Sequence, residues 1–557
     1  MRRASLQVLA QQTSIGSERL ACRRSALRAR TRAVKLGQGQ VSPEAVKMRI
    51  LALHGWRTNK DILAFQLGGL SKAFKETSDK DAEGSDAIEI VCINAPKDAS
   101  GPPYPEVSNA FGDDQPYYEW WDAEKHADGT RVMHGMEDSA GFVIDYIMQN
   151  GPFDALLGFS QGGAMVSYLQ ARVENDPSII PTHLRWRCCI FIAGVPVFDT
   201  ERREQYFLSP EATKERGKWC PTIHMIGEKD QYKELCGMLH KQYHECAPDS
   251  TSLIEFPEPH HPPTWRRSSG QLLRAAKLIR RTLFQTKLWW AFDFDGVLCH
   301  SAKETCLSGL RAGHVLLPDL FTDEVMAENS DIVDAFVNHS RPLLEHGYHS
   351  IILSYMFLSR AQKLGRDAMP EILKDVNSCI RLSGFGPVIE ELEDLGVTED
   401  DLKQEMRNAR DQWIEEDLEG WLSANEYYEI AVRAVSKLIA AGESVYVITT
   451  KHQDYAIQLL NRAGLELPED NVFGAGMGAK ETVIESIAAN EKGKICFFIE
   501  DRVGTLERVA PKLDCPCRLA FAQWGYNTDE DLAEAKKNKF EILTDQVDLA
   551  DVVRGQL

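Results

Sequence analysis

Two aspartates separated by one residue follow an apolar run in the segment WWAFDFDGVLCHS, residues 289–301. Side chains in a strand point alternately to its two faces, so Asp293 and Asp295 are predicted to point the same way and to repel each other. A hard divalent cation with oxygen ligands relieves such repulsion, and Mg²⁺ fits best. Gly296 then allows a tight turn beneath the ligand. The segment predicts a magnesium site that holds a phosphate through the metal.

Three polar elements extend this pattern, each placed where it can act on a phosphoryl group. Thr449 follows the apolar run VYVI and offers a hydroxyl, while Lys480, in GAGMGAKET, offers a fixed positive charge. Glu500 and Asp501 follow the apolar run CFFI and add carboxylates for the metal. A calcium loop does not fit, because no acidic positions follow at the required spacing and an apolar strand precedes the pair. Lys480 alone would indicate a solvated helix start, but the elements in this order predict one phosphate site.

This set, in this order, resembles the haloacid dehalogenase (HAD) superfamily of phosphatases. The resemblance implies that Asp293 attacks phosphorus to give an aspartyl phosphate, and that Asp295 protonates the leaving oxygen and later activates water. It implies Mg²⁺ as cofactor, with Lys480 and Thr449 binding the phosphoryl group. The implied metal ligands are Asp293, Asp295, Glu500 and Asp501. The superfamily also includes dehalogenases, but Lys480 beside a carboxylate-bound metal favours phosphate.

Two more features support the resemblance over residues 288 to about 545. Residues 303–440 are almost wholly helical in pattern and resemble a C1 cap, an insertion that excludes water and selects substrate. The segments DFDGVLCHS, FIEDRVGTLERV and QWGYNT resemble an uncharacterised subgroup of the superfamily from plants and algae. His300 stands where that subgroup is expected to have aspartate. Because this position neighbours a cap hinge, we expect the chemistry to be unchanged.

A second reactive group lies in the first half of the chain. Ser160 stands in the sequence GFSQG, between an apolar run and a helical one, where small neighbours permit a sharp turn that exposes the hydroxyl. Asp230 and His260 each follow an apolar run, in the order that a serine nucleophile, its orienting acid and its base take in this kind of site. The three predict a catalytic triad. The backbone N–H groups of Gln161 and Trp56 are expected to form its oxyanion hole.

Five segments carry a further resemblance: LALHGWRTNKDIL, PYYEWWD, FDALLGFSQGGAM, HMIGEKD and the His-x-x-Pro of residues 260–263. They resemble the FSH1/OVCA2 family of small α/β-hydrolase serine esterases, across roughly residues 48–285. The resemblance implies activity on short to medium acyl esters or thioesters. The sequence Pro-Glu-Pro at 257–259 replaces the glycine-rich approach expected before the histidine, and proline restricts the backbone. His260 and His261 therefore both remain candidates for the base, and the spacing to the proline favours His260.

The chain is long enough for two large domains, since single cores stop growing near roughly 250 to 300 residues. Apolar runs that alternate with helical ones predict parallel sheets covered on both faces, an α/β fold. We expect an α/β-hydrolase domain over residues 48–287. A HAD-like Rossmannoid domain is expected over 288–557, with a helical C1 cap at about 303–440. Almost no linker separates them, because a helical run over 270–287 leads directly into the strand LWWAF.

Composition limits the partners and the compartment. The net charge is −20, yet residues 1–47 hold ten Lys and Arg against two Glu. An Arg- and Ser-bearing, acid-poor leader is typical of a transit peptide for plastid or mitochondrion, although a disordered basic tail or an early start codon would look alike. Without that signal the protein is expected in the cytoplasm. The acidic body argues against nucleic acid, no apolar stretch reaches the ~20 residues of a membrane span, and 13 scattered cysteines indicate a reducing interior.

Taken together, these patterns predict a bifunctional hydrolase, with a serine esterase or thioesterase fused to a Mg²⁺-dependent phosphatase. Its expected partners are small-molecule esters and phosphoesters. The alternative is that only one half is catalytic, the other being a binding or regulatory module. Covalent linkage suggests that the two halves act in sequence on one metabolite that bears both an acyl and a phosphoryl group.

Overall fold

The computed structural model describes residues 48–78, 88–112, 114–125, 131–199, 204–205, 220–284, 287–491 and 493–544. The basic leader predicted over residues 1–47 lies outside these ranges. Two parallel sheets, one in each half of the chain, confirm the expected α/β class. In the described residues, no helix combines the length and apolarity needed to cross a membrane.

The first half is built on a six-stranded sheet in the order β12-β11-β8-β7-β1-β2, with every neighbouring pair parallel. Its strands are β1 (Met48–Leu53), β2 (Ile88–Ile93), β7 (Ala155–Phe159), β8 (Cys188–Ile192), β11 (Thr222–Gly227) and β12 (Thr251–Phe256). Three small antiparallel pairs lie outside this sheet. They are β3 (Lys97–Asp98) with β4 (Tyr118–Glu119), β5 (Asp122–Lys125) with β6 (Arg131–His134), and β9 (Phe198–Asp199) with β10 (Glu204–Gln205).

Helices cover both faces of the first sheet, because alternate strand residues bury apolar side chains on opposite sides. Leu51 and Leu156 join one core cluster, and Ile50 and Leu157 join the other. The helices are α1 (Lys60–Gln66), α2 (Gly68–Glu76), α3 (Pro105–Phe111), α4 (Met136–Asn150), α5 (Gln161–Asn175), α6 (Lys233–Cys246) and α7 (Trp265–Phe284).

The second half repeats the architecture with a six-stranded parallel sheet in the order β17-β16-β13-β18-β19-β20. Its strands are β13 (Leu288–Phe292), β16 (Ser444–Ile448), β17 (Val472–Phe473), β18 (Ile495–Glu500), β19 (Cys517–Ala522) and β20 (Glu541–Leu543). Core clusters again lie on both faces. The covering helices are α15 (Glu429–Ala440), α16 (Gln453–Arg462), α17 (Lys480–Asn490), α18 (Val503–Val509) and α19 (Asp529–Lys537).

A helical insertion with its own apolar core follows the first strand of the second sheet. A short antiparallel pair, β14 (Cys299–His300) with β15 (Glu426–Tyr427), joins its two ends. Its helices are α8 (Ala302–Leu316), α9 (Asp323–Ala327), α10 (Ser330–Ala335), α11 (His349–Leu364), α12 (Met369–Ser383), α13 (Gly386–Asp394) and α14 (Glu399–Ser423). The helix α15, which lies within the predicted cap range of 303–440, packs its apolar face into the core cluster of the second sheet.

Among the described residues, α7 ends the first half at Phe284 and β13 begins the second at Leu288. The two halves also contact each other far from this junction. Thr182 Oγ1 donates to the carbonyl oxygen of Cys515 at 2.7 Å, and Nε2 of His183 donates to that of Asn538 at 2.9 Å. These contacts pack a loop of the first half against the last strands and helices of the second.

Candidate active sites

The turn that carries Ser160 is sterically specified by its glycines. Ser160 follows β7 directly, has φ of +52°, and precedes the first residue of α5. A Cβ on Gly158 would lie 2.3 Å from the carbonyl oxygen of Gly162, and one on Gly162 would lie 2.2 Å from that of Leu53. Backbone atoms cannot move aside, so only glycine fits at both positions. The packing presents the serine hydroxyl at the carboxyl end of the sheet.

Ser160, His260 and Asp230 form a continuous hydrogen-bonded chain. Nε2 of His260 lies 2.9 Å from Oγ of Ser160, and Nδ1 lies 2.8 Å from Oδ2 of Asp230. Asp230 follows β11, and its Oδ1 also accepts from the N–H of Tyr232 at 2.7 Å. With Nδ1 donating to the carboxylate, Nε2 is free to accept the serine proton. This is the arrangement that activates a hydroxyl as a nucleophile.

His261, the other candidate base, points elsewhere. Its Nδ1 lies 2.8 Å from the carbonyl oxygen of Pro262, and its Nε2 lies 3.7 Å from Oε2 of Glu258. The carboxylate of Glu258 is fully buried and accepts from the N–H and the hydroxyl of Thr264, both at 2.9 Å, and from Ser268. The sequence Pro-Glu-Pro therefore anchors this loop through a glutamate whose role the sequence analysis did not identify.

The loop after β1 lies beside the serine, as an oxyanion hole requires. A Cβ on Gly55 would lie 3.5 Å from Cβ of Ser160. The backbone N–H groups of Trp56 and Gln161 donate to no residue that the structure describes. The side chain of Gln161 is used structurally, since it bonds the backbone of residues 120 and 121. His54 holds the loop: burial lowers its pKa to about 4, and its Nε2 accepts from the N–H of residue 95.

Aromatic side chains that sequence analysis did not single out flank the triad. The ring of Tyr232 meets that of His260 edge-on, with centroids 4.9 Å apart. Its hydroxyl lies 2.9 Å from that of Tyr104, whose ring packs against Trp56 at 4.9 Å. No short spacing links these residues in the sequence. They provide an apolar wall on which an acyl or leaving group can pack.

In the second half, Lys480 joins two carboxylates that arise from neighbouring strands. Its Nζ lies 2.7 Å from Oδ1 of Asp293 and 2.7 Å from Oε2 of Glu500. Asp293 follows the last residue of β13, Glu500 ends β18, and Lys480 begins α17. The parallel pairing of β13 with β18 brings these groups to one edge of the sheet.

Asp501 completes a cluster of three buried carboxylates. Ligand oxygens of Asp293, Glu500 and Asp501 lie within 4.8 Å of one another. Oδ2 of Asp501 accepts from the N–H of Tyr526 at 2.6 Å, whereas its Oδ1 is buried and has no partner among the described residues. Burial raises the pKa of Asp293 to about 7, although Lys480 acts to lower it, and burial with the adjacent Glu500 raises that of Asp501. The cluster has the donor set of a divalent cation site.

Gly296 and Gly525 shape this cluster. A Cβ on Gly296, where φ is +92°, would lie 2.0 Å from Oδ2 of Asp501, and one on Gly525 would lie 2.3 Å from Cβ of Asp501. The predicted need for glycine after the aspartates thus has a specific cause. The backbone approaches a carboxylate there more closely than any side chain permits.

Asp295 does not join the carboxylate cluster, contrary to its expected place among the metal ligands. The strand ends at Phe292, so the alternation expected of a strand does not extend to this residue. Its Oδ1 accepts from the hydroxyl of Ser301 and lies 3.4 Å from Nζ of Lys451. Its carboxylate nevertheless lines the same cavity as that of Asp293.

A buried ion network supports Asp295 from the helical insertion. Lys451 also lies 3.5 Å from Oε2 of Glu304, whose carboxylate accepts two bonds from the guanidinium of Arg410, at 2.7 and 3.0 Å. Burial acts to raise the pKa of Glu304, but Arg410 and Lys451 together bring it well below its usual range. Sequence analysis missed these three residues, which lie on α8, on α14 and after β16.

Thr449, predicted to bind a phosphoryl oxygen, directly follows β16. It is buried, and its Oγ1 accepts from the N–H of Lys451 at 3.1 Å. Its neighbour Thr450 lines the cavity. The hydroxyl of Thr449 can still donate to a phosphoryl oxygen while it accepts this bond.

A cavity lies where the helical insertion meets the carboxyl edge of the second sheet. It is lined by Asp293, Asp295, Thr305, Arg341, Leu344, Glu345, His346, Gly347, Arg410, Thr450, Lys451, Asp501, Arg502 and Tyr526. Both predicted reactive aspartates and a further predicted metal ligand, Asp501, therefore line one partly open cavity. Part of its wall comes from the insertion.

The fold and geometry of the first half define a class of enzyme: a hydrolase with a serine on a sharp strand-to-helix turn, at the carboxyl edge of a parallel sheet. Residues 43–272 match the family model described as serine hydrolase (FSH1). Esterase OVCA2 of Homo sapiens is 33% identical over 194 residues, which are 33% of this chain and 77% of the relative. Hydrolase phiM of Talaromyces stipitatus is 27% identical over 219 residues, 39% of this chain and 81% of the relative. The chain belongs to the FSH1 serine hydrolase family.

Solved structures show likeness to both kinds of hydrolase. Esterase PE8 is 18% identical with a TM-score of 0.27, covering 43% of this chain and 94% of that one. A predicted phosphatase from Clostridium acetobutylicum is 16% identical with a TM-score of 0.28, covering 48% of this chain and 97% of that one. At these identities and TM-scores, neither likeness indicates an activity.

Proposed function

We propose that the protein is a bifunctional hydrolase. Its first half, a serine hydrolase, cleaves acyl esters or thioesters, and its second half is a Mg²⁺-dependent HAD phosphatase with a helical C1 cap. The observation that supports the first activity is the chain of hydrogen bonds from Ser160 through His260 to Asp230. The second rests on Lys480 between Asp293 and Glu500, at the edge of a parallel sheet beneath the insertion.

In the first site, Oγ of Ser160 attacks the acyl carbonyl carbon while its proton passes to Nε2 of His260. Asp230 stabilises the imidazolium, and the N–H groups of Gln161 and Trp56 bind the oxyanion. His260 then gives the proton to the leaving alcohol or thiol. Water then attacks the acyl-serine while His260 again takes a proton and returns it to Oγ of Ser160, and the carboxylic acid is released. Because burial excludes water from Asp230, its charge acts on the imidazolium with little screening.

The second site fits a divalent cation. Three carboxylates converge there, and one buried oxygen of Asp501 has no partner among the described residues. Asp293 and Asp501 would hold Mg²⁺, with Glu500 kept beside them by Lys480. When bound, Mg²⁺ neutralises charge on the carboxylates and on the phosphoryl oxygens.

The chain's own residues supply the remaining chemistry of phosphoryl transfer. The carboxylate of Asp293 attacks phosphorus, and Asp295 protonates the oxygen whose bond to phosphorus breaks. Asp295 then takes a proton from the water that hydrolyses the aspartyl phosphate, which frees phosphate. Lys480 and Thr449 stabilise the charge on the transferring group. Lys451 and Ser301 orient Asp295 for both proton transfers.

Two nucleophile variants of the full chain test both activities together. Ser160→Ala should lower hydrolysis of p-nitrophenyl butyrate on the order of 10³-fold or more and leave Mg²⁺-dependent release of p-nitrophenol from p-nitrophenyl phosphate unchanged. Asp293→Asn should have the reverse effect. A fluorophosphonate probe should label the wild type and Asp293→Asn, but not Ser160→Ala.

Each result has a clear alternative. If the wild type releases p-nitrophenol from only one substrate, the other half is a binding or regulatory module. If either variant loses both activities equally, the sites are not independent and the proposal of two separate centres is wrong. If both activities are found, a panel of phosphometabolites that also carry acyl groups tests whether both halves act on one compound.

We also propose that residues 1–47 direct the protein to a plastid or mitochondrion. These residues hold ten basic and two acidic side chains, which supports the proposal because import signals are basic and acid-poor. A fluorescent protein fused after residue 47 should enter one of these organelles. Uniform cytoplasmic fluorescence would contradict the proposal.

A further inference from the structure

Two arginines that face the phosphatase cavity lack the partners that the other cations there have. Lys480, Lys451 and Arg410 are all held by carboxylates at hydrogen-bond or ion-pair distance. The guanidinium groups of Arg341 and Arg502 line the same cavity, yet neither makes a hydrogen bond or ion pair with any residue that the structure describes. In a chain of net charge −20, two unpaired guanidinium groups at one cavity require an explanation.

The two arginines come from different parts of the fold. Arg341 begins a short 3-10 turn in the helical insertion, and Arg502 follows the carboxylate cluster at the end of β18. The guanidinium of Arg341 lies over the ring of Tyr526, 4.0 Å from its centroid, which fixes its direction. Its Nε is buried and has no hydrogen-bond partner among the described residues. A buried donor costs free energy until it is paired, so this group favours a ligand that can accept its hydrogen bond.

The charges facing this space decide which ligand it accepts. Lys480 lies between Asp293 and Glu500, and Lys451 lies between Asp295 and Glu304, so both lysines already have carboxylate partners. Glu345, also on the lining, is exposed and so remains hydrated. Arg341 and Arg502 are the two arginines of this lining that no carboxylate of the described residues holds at ion-pair distance, so both are available to an anionic ligand.

We propose that Arg341 and Arg502 bind a second anionic group of the phosphate ester, a carboxylate or a second phosphate. The inference rests on the phosphatase proposed above and specifies its substrates: small phosphometabolites that carry an anion in addition to the phosphoryl group that is removed. Guanidinium groups suit this task because they bind carboxylate and phosphate oxygens through two parallel N–H bonds. Because Arg341 belongs to the insertion and Arg502 follows a strand of the sheet, such a ligand would also link the insertion to the sheet.

Matched aryl phosphates test the proposal with the full chain and Mg²⁺. We compare 4-carboxyphenyl phosphate and 1,4-phenylene bisphosphate with the uncharged 4-carbamoylphenyl phosphate, which has a similar size. The wild type should favour at least one charged compound about 10- to 100-fold in kcat/KM, as expected for a charge-assisted contact. Preference for the carboxylate or for the bisphosphate identifies the second anion.

Arg341→Met and Arg502→Met should each remove most of that preference, and Arg341→Lys should restore part of it. Arg360→Met is the matched control, since Arg360 lies in the same insertion and pairs with Asp375. It should keep the wild-type ratio. Thermal unfolding checks that each variant is folded.

The other outcomes are also decisive. If the arginine variants lower kcat/KM for charged and uncharged compounds equally, the arginines bind the reacting phosphoryl group and the inference is wrong. If no aryl phosphate is hydrolysed, the phosphatase proposal fails. Calorimetric titration of Asp293→Asn with the same three compounds then decides the inference alone: equal affinity for charged and uncharged compounds would overturn it.

Discussion

The buried carboxylate of Glu258 accepts a hydrogen bond of 2.6 Å from Ser268, ten residues further along the chain. This contact ties the loop after β12 to the first turns of α7. Two adjacent histidines lie on the loop between these points, and the anchor determines that His260 faces Ser160. The glutamate between two prolines therefore positions His260, and it holds the loop more rigidly than a glycine-rich segment would.

The first prediction separates these two histidines. His260→Ala should lower ester hydrolysis on the order of 10³-fold or more, because Ser160 loses its base, and His261→Ala should change it only a few-fold. Steady-state assays with p-nitrophenyl butyrate provide the measurement. Equal losses in both variants would contradict the assignment of His260. Mg²⁺-dependent phosphatase activity should be unchanged in each.

The second prediction concerns the turn that carries the nucleophile. Gly162→Ala places a Cβ 2.2 Å from a backbone oxygen and should cost about 3 kcal/mol of unfolding free energy, with loss of fluorophosphonate labelling. Gly141→Ala is the control, because that position lies within α4 and a Cβ there meets nothing within 4 Å. Alanine should stabilise this helix by about 0.5–1 kcal/mol. Urea unfolding measures both, and equal effects would disprove the steric explanation.

The third prediction tests the cation site without relying on activity. Mg²⁺ should raise the thermal unfolding midpoint of the wild type. At 100 times its Kd, it should add about 3 kcal/mol to the free energy of unfolding. Asp501→Asn should abolish this shift and should unfold at a higher temperature than the wild type in EDTA, because one of three clustered carboxylates is removed. The exposed Asp400 provides the control variant Asp400→Asn. A full Mg²⁺ shift in Asp501→Asn would exclude this residue as a ligand.

The fourth prediction uses the histidine at the contact between the halves. Burial lowers the pKa of His183 from 6.5 to about 4. Between these values the unfolded chain binds a proton that the folded chain does not, so stability is complete above pH 6.5 and declines as the pH falls to about 4. The loss is about 3 kcal/mol for this residue.

Glutamine tests that prediction, since His183→Gln keeps a donor for Asn538 but does not titrate. Unfolding midpoints between pH 7 and 4 should fall less steeply for this variant than for the wild type. Other buried histidines titrate in the same direction, including His54 with a pKa of about 4, so the difference between slopes is the measured quantity. The exposed His339 gives the control His339→Gln, which should keep the wild-type slope. Parallel slopes for wild type and His183→Gln would contradict the prediction.

Local sequence determined the candidate site residues and the class of fold. Apolar runs of four to six residues between helical runs specify parallel strands, whose carboxyl ends must meet at one edge of a sheet. The glycines beside Ser160 specify its turn for steric reasons that hold wherever the segment folds. Short spacing was therefore enough to name Ser160, Asp293 and Lys480, because their chemistry depends on the strand that each follows or the helix that it begins.

Tertiary packing decided the side-chain placements that residue spacing in the sequence does not predict. Glu258 fixes the loop that carries His260 and His261 through hydrogen bonds from Thr264 and from Ser268 on the next helix. The end of β13 at Phe292 released Asp295 from strand alternation and turned it away from the other carboxylates. Arg341 reaches the cavity from the helical insertion, far along the chain from Asp501. Burial and charge pairing depend on which elements, distant along the chain, pack against each other. The order of residue types does not show these contacts.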